Sequence, residues 1–231
     1  MTMKNFKITL LGLMLLLNLV GCDSFVDVET PNSQLTGVTV FEDRTTANAA
    51  MIDIYSKLRD TGLIAGNANG SGVSLGLYAD ELTYYGATDD NTSFIFNNTM
   101  LATTSMASQM WNESYQQIYC ANAVIYGCQN STGLSTADKN QFIGEALFVR
   151  ALVHSYLTNL YGDVPYITTT DYEVNRLVTR MPTAEVYNNI IADLQQAIAL
   201  LPEAYFAPDR VRPNRSTASA LLARVYLYNG N

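Results

Sequence analysis

Histidine occurs once in this 231-residue sequence, tryptophan once and cysteine three times. The lone histidine, His154, falls inside an apolar helical pattern, and there is no CxxC and no paired His/Cys spacing. A zinc site therefore has no ligand set to draw on. The cysteines offer no disulfide framework either. Cys120 and Cys128 stand eight residues apart in one helical pattern, a span of about 12 Å against a ceiling of ~7 Å between bridged Cα atoms. Basic residues are also scarce, with 13 Lys+Arg against 21 Asp+Glu and a net charge of −8. Such a surface argues against nucleic acid and against electrostatic adhesion to anionic lipid.

What is present is most specific at the N-terminus. Lys4 and Lys7 precede an uncharged run from Ile8 to Val20, closed by Leu19-Val20-Gly21-Cys22. A positive start, a short apolar stretch and small residues before a cut describe an export signal. As a helix the run reaches about 20 Å, short of the ~30 Å hydrocarbon core, so it does not span a membrane. The Leu-Val-Gly-Cys ending resembles a bacterial lipobox, in which the Cys22 sulfur receives a diacylglyceryl group and becomes the first residue. The alternative is an ordinary secretory signal beside an unrelated cysteine. On the lipobox reading, residues 1–21 are the signal peptide, 22–40 an extended tether and 41–231 the folded domain. Loss of Lys4 and Lys7 takes the net charge to about −10, so attachment must come from the lipid, and two or more acyl chains anchor stably.

Beyond Thr39 the apolar residues recur at helix spacing rather than in alternation. Thr39 and Glu42 have the form of a capping box for a first helix over about 41–60, with Ala47, Met51, Ile54 and Leu58 on one face. Glycines between Gly62 and Gly76 predict a loop, and 77–105 reads as irregular with one short helix near Leu75–Leu82. A second helix over 108–129 carries Trp111, Tyr115, Ile118, Asn122 and Ile125. Asparagine within that stripe implies a bond across to a neighbour. Ser135 and Asp138 form the N-terminal cap of a third helix, 136–161, apolar nearly all round and hence central. It stops at Gly162, with Pro165 behind it. After an extended stretch, Tyr166–Arg180, Pro182 opens a fourth helix that Pro202 ends, and a fifth covers 216–228. The expected class is all-α, a superhelix of antiparallel, tetratricopeptide-like helix pairs with irregular loops. Ala146-Leu147 with Arg150 recurs as Ala220-Leu221 with Arg224. This echo fits such pairing, although the Trp/Leu-Gly/Tyr repeat signature is absent and chance similarity of two amphipathic helices explains it as well.

Several segments together resemble one family. Gly144-Glu145-Ala146-Leu147-Phe148-Val149-Arg150-Ala151, continued by Leu160-Tyr161-Gly162-Asp163-Val164-Pro165-Tyr166-Ile167, is similar to the central signature of the SusD-like (RagB/SusD) lipoproteins. Cys22 to Val28, Trp111 to Asn122, Glu185-Val186-Tyr187 with Asp193-Leu194 and Leu201-Pro202, and Asn214 to Leu227 agree in order. The resemblance covers essentially the whole mature chain. It implies a lipid-anchored, surface-exposed outer-membrane protein that captures oligosaccharide for import through a SusC-like TonB-dependent transporter, with no enzymatic activity and no cofactor. Members are about twice this length, so the chain corresponds to an N-terminal portion, expected to be marginally stable alone. A rival reading is a helical-repeat scaffold lipoprotein that binds protein partners without a ligand of its own.

Candidate binding residues follow from what a sugar requires: aromatic faces for the pyranose ring, and amides and carboxylates for its hydroxyls, on loops held by helices. Tyr84, Tyr85, Phe94 and Phe96, with Asp89 and Asn91, form the one dense combination of this kind. Trp111 is expected in the core. Gly72-Val73-Ser74-Leu75-Gly76 matches the G-x-S-x-G string, yet lacks the preceding strand and a histidine in reach. Asp89-Asp90-Asn91 lacks the glycine and distal glutamate of a calcium loop. Glu145 and Arg150 read as structural ion-pair partners, and His154 as a helix-packing residue.

Overall fold

The computed structural model describes Gly37 and residues 39–88, 90–101 and 103–230. The lipobox, Cys22 and most of the tether lie outside them. After a 3₁₀ turn at Thr39–Phe41, the described residues form α1 (Arg44–Asp60), α2 (Ser71–Tyr78), α3 (Asn91–Phe96), α4 (Ser105–Asn130), α5 (Thr136–Tyr161), α6 (Tyr172–Asn175), α7 (Thr183–Leu200) and α8 (Arg215–Tyr228). No strand occurs among them, only an isolated antiparallel bridge between Val164 and Met181. No helix of the described residues is long and apolar enough to cross a membrane.

Helix starts follow side-chain chemistry in most cases. Ser135 Oγ accepts from the Asp138 amide at 3.1 Å and opens α5 as its sequence implies. Gly162, at φ +73°, closes it in a conformation that a Cβ would penalise. The start of α1 departs from expectation. Asp43, not Thr39, is the cap, accepting from the amides of Thr45 at 2.7 Å and Thr46 at 3.3 Å. Glu42 instead reaches the α4–α5 turn and accepts from the Thr132 and Gly133 amides at 3.0 and 2.6 Å. Those bonds, the Thr132 amide foremost, hold its carboxyl below the usual range.

The stretch read as loop up to Gly76 is helical from Ser71 to Tyr78. Its N-cap is Gly70, without a side-chain bond, and Gly72 and Gly76 lower its intrinsic helicity, so nothing local announces it. The expected helix near Leu75–Leu82 is this one, begun four residues earlier. The segment read as extended, Tyr166–Arg180, contains the single turn α6, capped by Asp171. Cys120 and Cys128 are both free.

Helix α5 is central. It packs against α4 on one side and α7 on another, and α8 follows α7 in the same manner. Phe142, Ala146, Leu147, Val149, Ala151, Val153 and Leu157 of α5 are fully buried, which accounts for a sequence with no polar stripe.

Glu145 and Arg150 of α5 are buried as well, and each is partnered. Arg150 donates to both oxygens of Asp193 on α7, at 2.7 and 2.6 Å, and to Asn122 Oδ1 on α4 at 2.8 Å. Tyr166 adds a hydroxyl to Asp193 at 2.6 Å. Asn122 gives its amide to the Ile167 carbonyl at 3.1 Å, the cross-bond its position implies. Glu145 accepts from Tyr55 on α1 at 2.6 Å and from Arg212 at 2.7 Å, 67 residues away. Glu145 and Arg150 are thus structural, but each pairs with a distant residue and not with the other. Arg224, the echo of Arg150, lies exposed beside the rings of Tyr156 and Tyr228, so the repeated letters do not share an environment.

His154 is fully buried and stacks on Tyr166 with ring centroids 4.0 Å apart. The Ile167 amide donates to Nε2 at 3.4 Å, so Nδ1 carries the proton and donates to the Arg150 carbonyl at 2.9 Å. Burial pushes its pKa down to about 4.

Two outcomes follow. Arg150→Ala strands the Asp193 carboxylate and is expected to destabilise by about 3–5 kcal/mol in denaturant titration, whereas Arg224→Ala at the echo position changes little. The His154 contribution is complete above pH 6.5 and lost as pH falls to about 4, where the unfolded chain binds a proton that the folded one refuses. The difference amounts to roughly 3 kcal/mol. His154→Gln removes that part of the pH dependence, measured as the stability difference from the parent at each pH.

Candidate functional site

The aromatic segment between α2 and α4 is built around one carboxylate. Asp90 caps α3 by accepting from the Ser93 amide at 2.7 Å, and Tyr84 donates its hydroxyl to the other oxygen. These bonds, the Tyr84 bond first, hold the Asp90 carboxyl below the usual range. The Tyr84 ring lies against Gly86, where an added Cβ would sit 2.1 Å from the phenol oxygen. Ser93 Oγ donates to the Thr88 carbonyl at 3.0 Å, closing the loop from inside. Asn91 Nδ2 donates to Ser105 Oγ at 3.1 Å and ties α3 to the start of α4. Asp80, at φ +60°, and Asn98, at φ +55°, bracket the segment in the left-handed region, which Asp and Asn tolerate better than most residues.

The expected binding residues therefore separate. Tyr84 is a strut whose hydroxyl is already engaged. Tyr85, next in sequence, is 92% exposed and is the ring presented to solvent. Phe94 and Phe96 are half-buried, with Phe96 packed against the core. Asn91 is a tie between helices, and Asp89 lies outside the described residues.

A second aromatic surface was not anticipated. Trp111, Tyr115 and Tyr119 on α4 form, with Pro165, Ile167 and Val178, an open groove of about 290 Å³. Trp111 meets Tyr115 at 4.8 Å and Tyr161 edge-on at 5.1 Å, with the Arg180 guanidinium 5.9 Å from its ring centre. Tyr115 is fixed by donating to the Pro165 carbonyl at 2.7 Å, and burial raises its pKa well above the phenolic norm. Trp111 thus packs on the core, as expected, while its outer side lines a groove. The i, i+4, i+8 spacing of the three rings was the signal that could have revealed it.

The nucleophile-elbow string at Ser74 does not have the geometry its motif requires. Ser74 lies buried within α2, and both nitrogens of His154 are bonded to backbone. Burial holds the Cys128 thiol in its neutral form, with its pKa pushed up to about 12. Among the described residues no group of three or more His, Cys, Asp or Glu side chains is placed to hold a metal ion.

Removal of the Tyr84 hydroxyl tests the strut. In Tyr84→Phe the Asp90 carboxyl pKa is expected to climb toward the ordinary aspartate value, followed by NMR titration of its side-chain carbon. An unchanged titration would refute the assignment. Gly86→Ala is expected to displace the ring and shift Asp90 in the same direction.

Residues 25–227 match the SusD-like family model described as starch-binding and associating with the outer membrane. SusD-like protein P2 of Formosa agariphila is 32% identical over 99% of this chain, which spans 44% of that protein's length. SusD-like protein P25 of the same organism is 22% identical over 94% of the chain and 42% of its own length. Among solved structures, a laminarin-binding SusD-like protein superposes with a TM-score of 0.67 at 26% identity, over 80% of this chain and 40% of that one. A SusD superfamily protein of Bacteroides vulgatus gives 0.70 at 22% identity, over 83% and 41%. The chain thus spans less than half the length of the relatives it matches. With a helical-pair fold in common and a family match running from residue 25 to residue 227, the chain belongs to the SusD-like family.

Proposed function

We propose that this chain supplies the helical scaffold and one aromatic loop of a surface lipoprotein that binds glycan and passes it to a SusC-like TonB-dependent transporter. The observation that carries the reading is Tyr85. Its ring stands in solvent on a segment held by the Tyr84–Asp90 bond, the α3 cap and the Asn91–Ser105 tie. A rigid aromatic platform covers the apolar face of a pyranose at little entropic cost, since the ring is placed before the ligand arrives. The groove at Trp111 and Tyr119 offers a second platform of the same chemistry. A net charge of −8 disfavours polyanionic chains and suits a neutral glycan. The family description and the laminarin-binding relative favour the same class.

The role is binding without catalysis, in keeping with a serine enclosed in a helix and a histidine committed to backbone. Attachment to the outer membrane falls to lipid on Cys22, which the acidic surface leaves as the means of holding the protein there.

Laminarin is the first ligand to try. In affinity electrophoresis, Tyr85→Ala is expected to weaken retardation by about tenfold, of the order an aromatic contact supplies. Tyr84→Phe should weaken it less. Equal binding by parent and Tyr85→Ala would overturn the platform. Metabolic labelling with radioactive palmitate is expected to mark the parent chain and not Cys22→Ala, and an unlabelled parent would dismiss the anchor.

A further inference from the structure

A cavity of about 280 Å³ opens between α2, α5, α7 and α8. Leu63, Leu75, Leu160, Leu221 and Val225 give it an apolar wall. Arg224 of α8 stands exposed at its rim, with the guanidinium carbon 6.0 Å from the Tyr156 ring centre on α5 and 5.7 Å from that of Tyr228 on α8. Both rings line the same cavity, so the charged head is held at the opening between two helices.

That charge is unbalanced. Arg150 and Arg212 each meet a carboxylate, and Arg215, at the start of the same helix as Arg224, meets Glu203 at 3.2 Å. Among the described residues no carboxylate lies within ion-pair distance of Arg224. Its polar neighbours are the Tyr228 and Tyr156 hydroxyls, and a phenol brings no negative charge to answer a guanidinium. In a chain of net charge −8 such a cation stands out. Other polar groups of the wall are already committed. Ser71 and Ser155 donate to the Leu63 and Leu152 carbonyls at 2.6 and 2.7 Å. Asn159 donates to the Ser155 carbonyl at 2.6 Å and accepts from the Tyr187 hydroxyl at 3.1 Å.

An occupant complementary to this cavity brings one negative charge and little else that is polar. A sugar ring would bury several hydroxyls against groups that already have partners. A plain hydrocarbon would fill the space and leave Arg224 unanswered. The volume, at the lower edge of small-molecule sites, limits the occupant to about one ring. We propose that the cavity binds a compact aryl carboxylate, its ring against the leucine wall and its two oxygens accepting from the Arg224 fork, the pairing that a planar guanidinium suits best. This ligand class differs from the glycan assigned to the Tyr85 platform, and the two readings stand or fall separately.

The test uses the full chain labelled with ¹³C in its leucine methyls, titrated with trans-cinnamate and, as the uncharged match, its methyl ester. Saturable shifts of the Leu160 and Leu221 methyls are expected with both, and the acid should bind about fivefold more tightly, the worth of one solvent-accessible ion pair. Arg224→Ala, at an exposed position, is expected to bind the two alike. Should that variant fail to fold, the salt dependence in the parent decides, since the preference for the acid is expected to fade at 1 M sodium chloride, where an accessible charge pair is screened. Glucuronate, a carboxylate on a sugar ring, is expected to bind more weakly than cinnamate. Methyls that respond to neither compound, a preference for the acid that survives in Arg224→Ala or at high salt, or glucuronate bound as tightly as cinnamate overturns the proposal.

Discussion

The guanidinium of Arg150 is where three helices and a connecting segment are made to agree. A charge enclosed at this depth is tolerable only if its partners arrive together. Asp193 comes from α7, Asn122 from α4, and Tyr166 from the strap behind α5. A shift of any of these elements by one residue would leave an ion or an amide unanswered in the core. The forked geometry of the Arg150–Asp193 contact adds an angular constraint to the positional one. Apolar packing alone would let α4, α5 and α7 slide on each other at moderate cost; the polar cluster fixes their register. The Glu145–Arg212 contact does the same for α1 and the chain leading into α8.

That register reaches the surface. Asn122 holds the Ile167 carbonyl, and Tyr115 holds that of Pro165. The strap after α5 is therefore laid along α4, and the groove at Trp111 and Tyr119 exists because two side chains of one helix grip successive parts of the same segment. The Tyr85 loop is fastened by a separate set of bonds that begin at α3 and end at the first residue of α4. Both aromatic surfaces consequently refer to α4 as their common base.

Sequence reading reached the long helices because capping and periodicity agree there. Ser135 and Gly162 mark helix ends through the chemistry expected of them, and Pro182 stands immediately before the helix it announces. Asn122 was readable for a similar reason, since an amide in an apolar stripe has to find a partner. Short elements escaped. Helix α2 begins at a glycine and contains two more, and it is helical because tertiary surroundings override its weak propensity. Glu42 looked like a cap for its own helix, but a turn 90 residues away claims it. Within the aromatic loop, composition picked out a segment and could not rank which of its rings faces solvent. Adjacent tyrosines have identical local chemistry, and only the position of Asp90 and the bare Cα of Gly86 decide which ring turns inward. Arg212 illustrates the general limit, for no local pattern ties it to Glu145.

The backbone turns left-handed at Asp80 and again at Asn98, each two residues past the end of a short helix. The segment between them is in effect a cassette clipped into two fixed hinges. Residues such as Tyr85 can be exchanged, or the span lengthened, without re-threading the helices beneath. The surface such a segment presents is thus free to diverge while the architecture stands still.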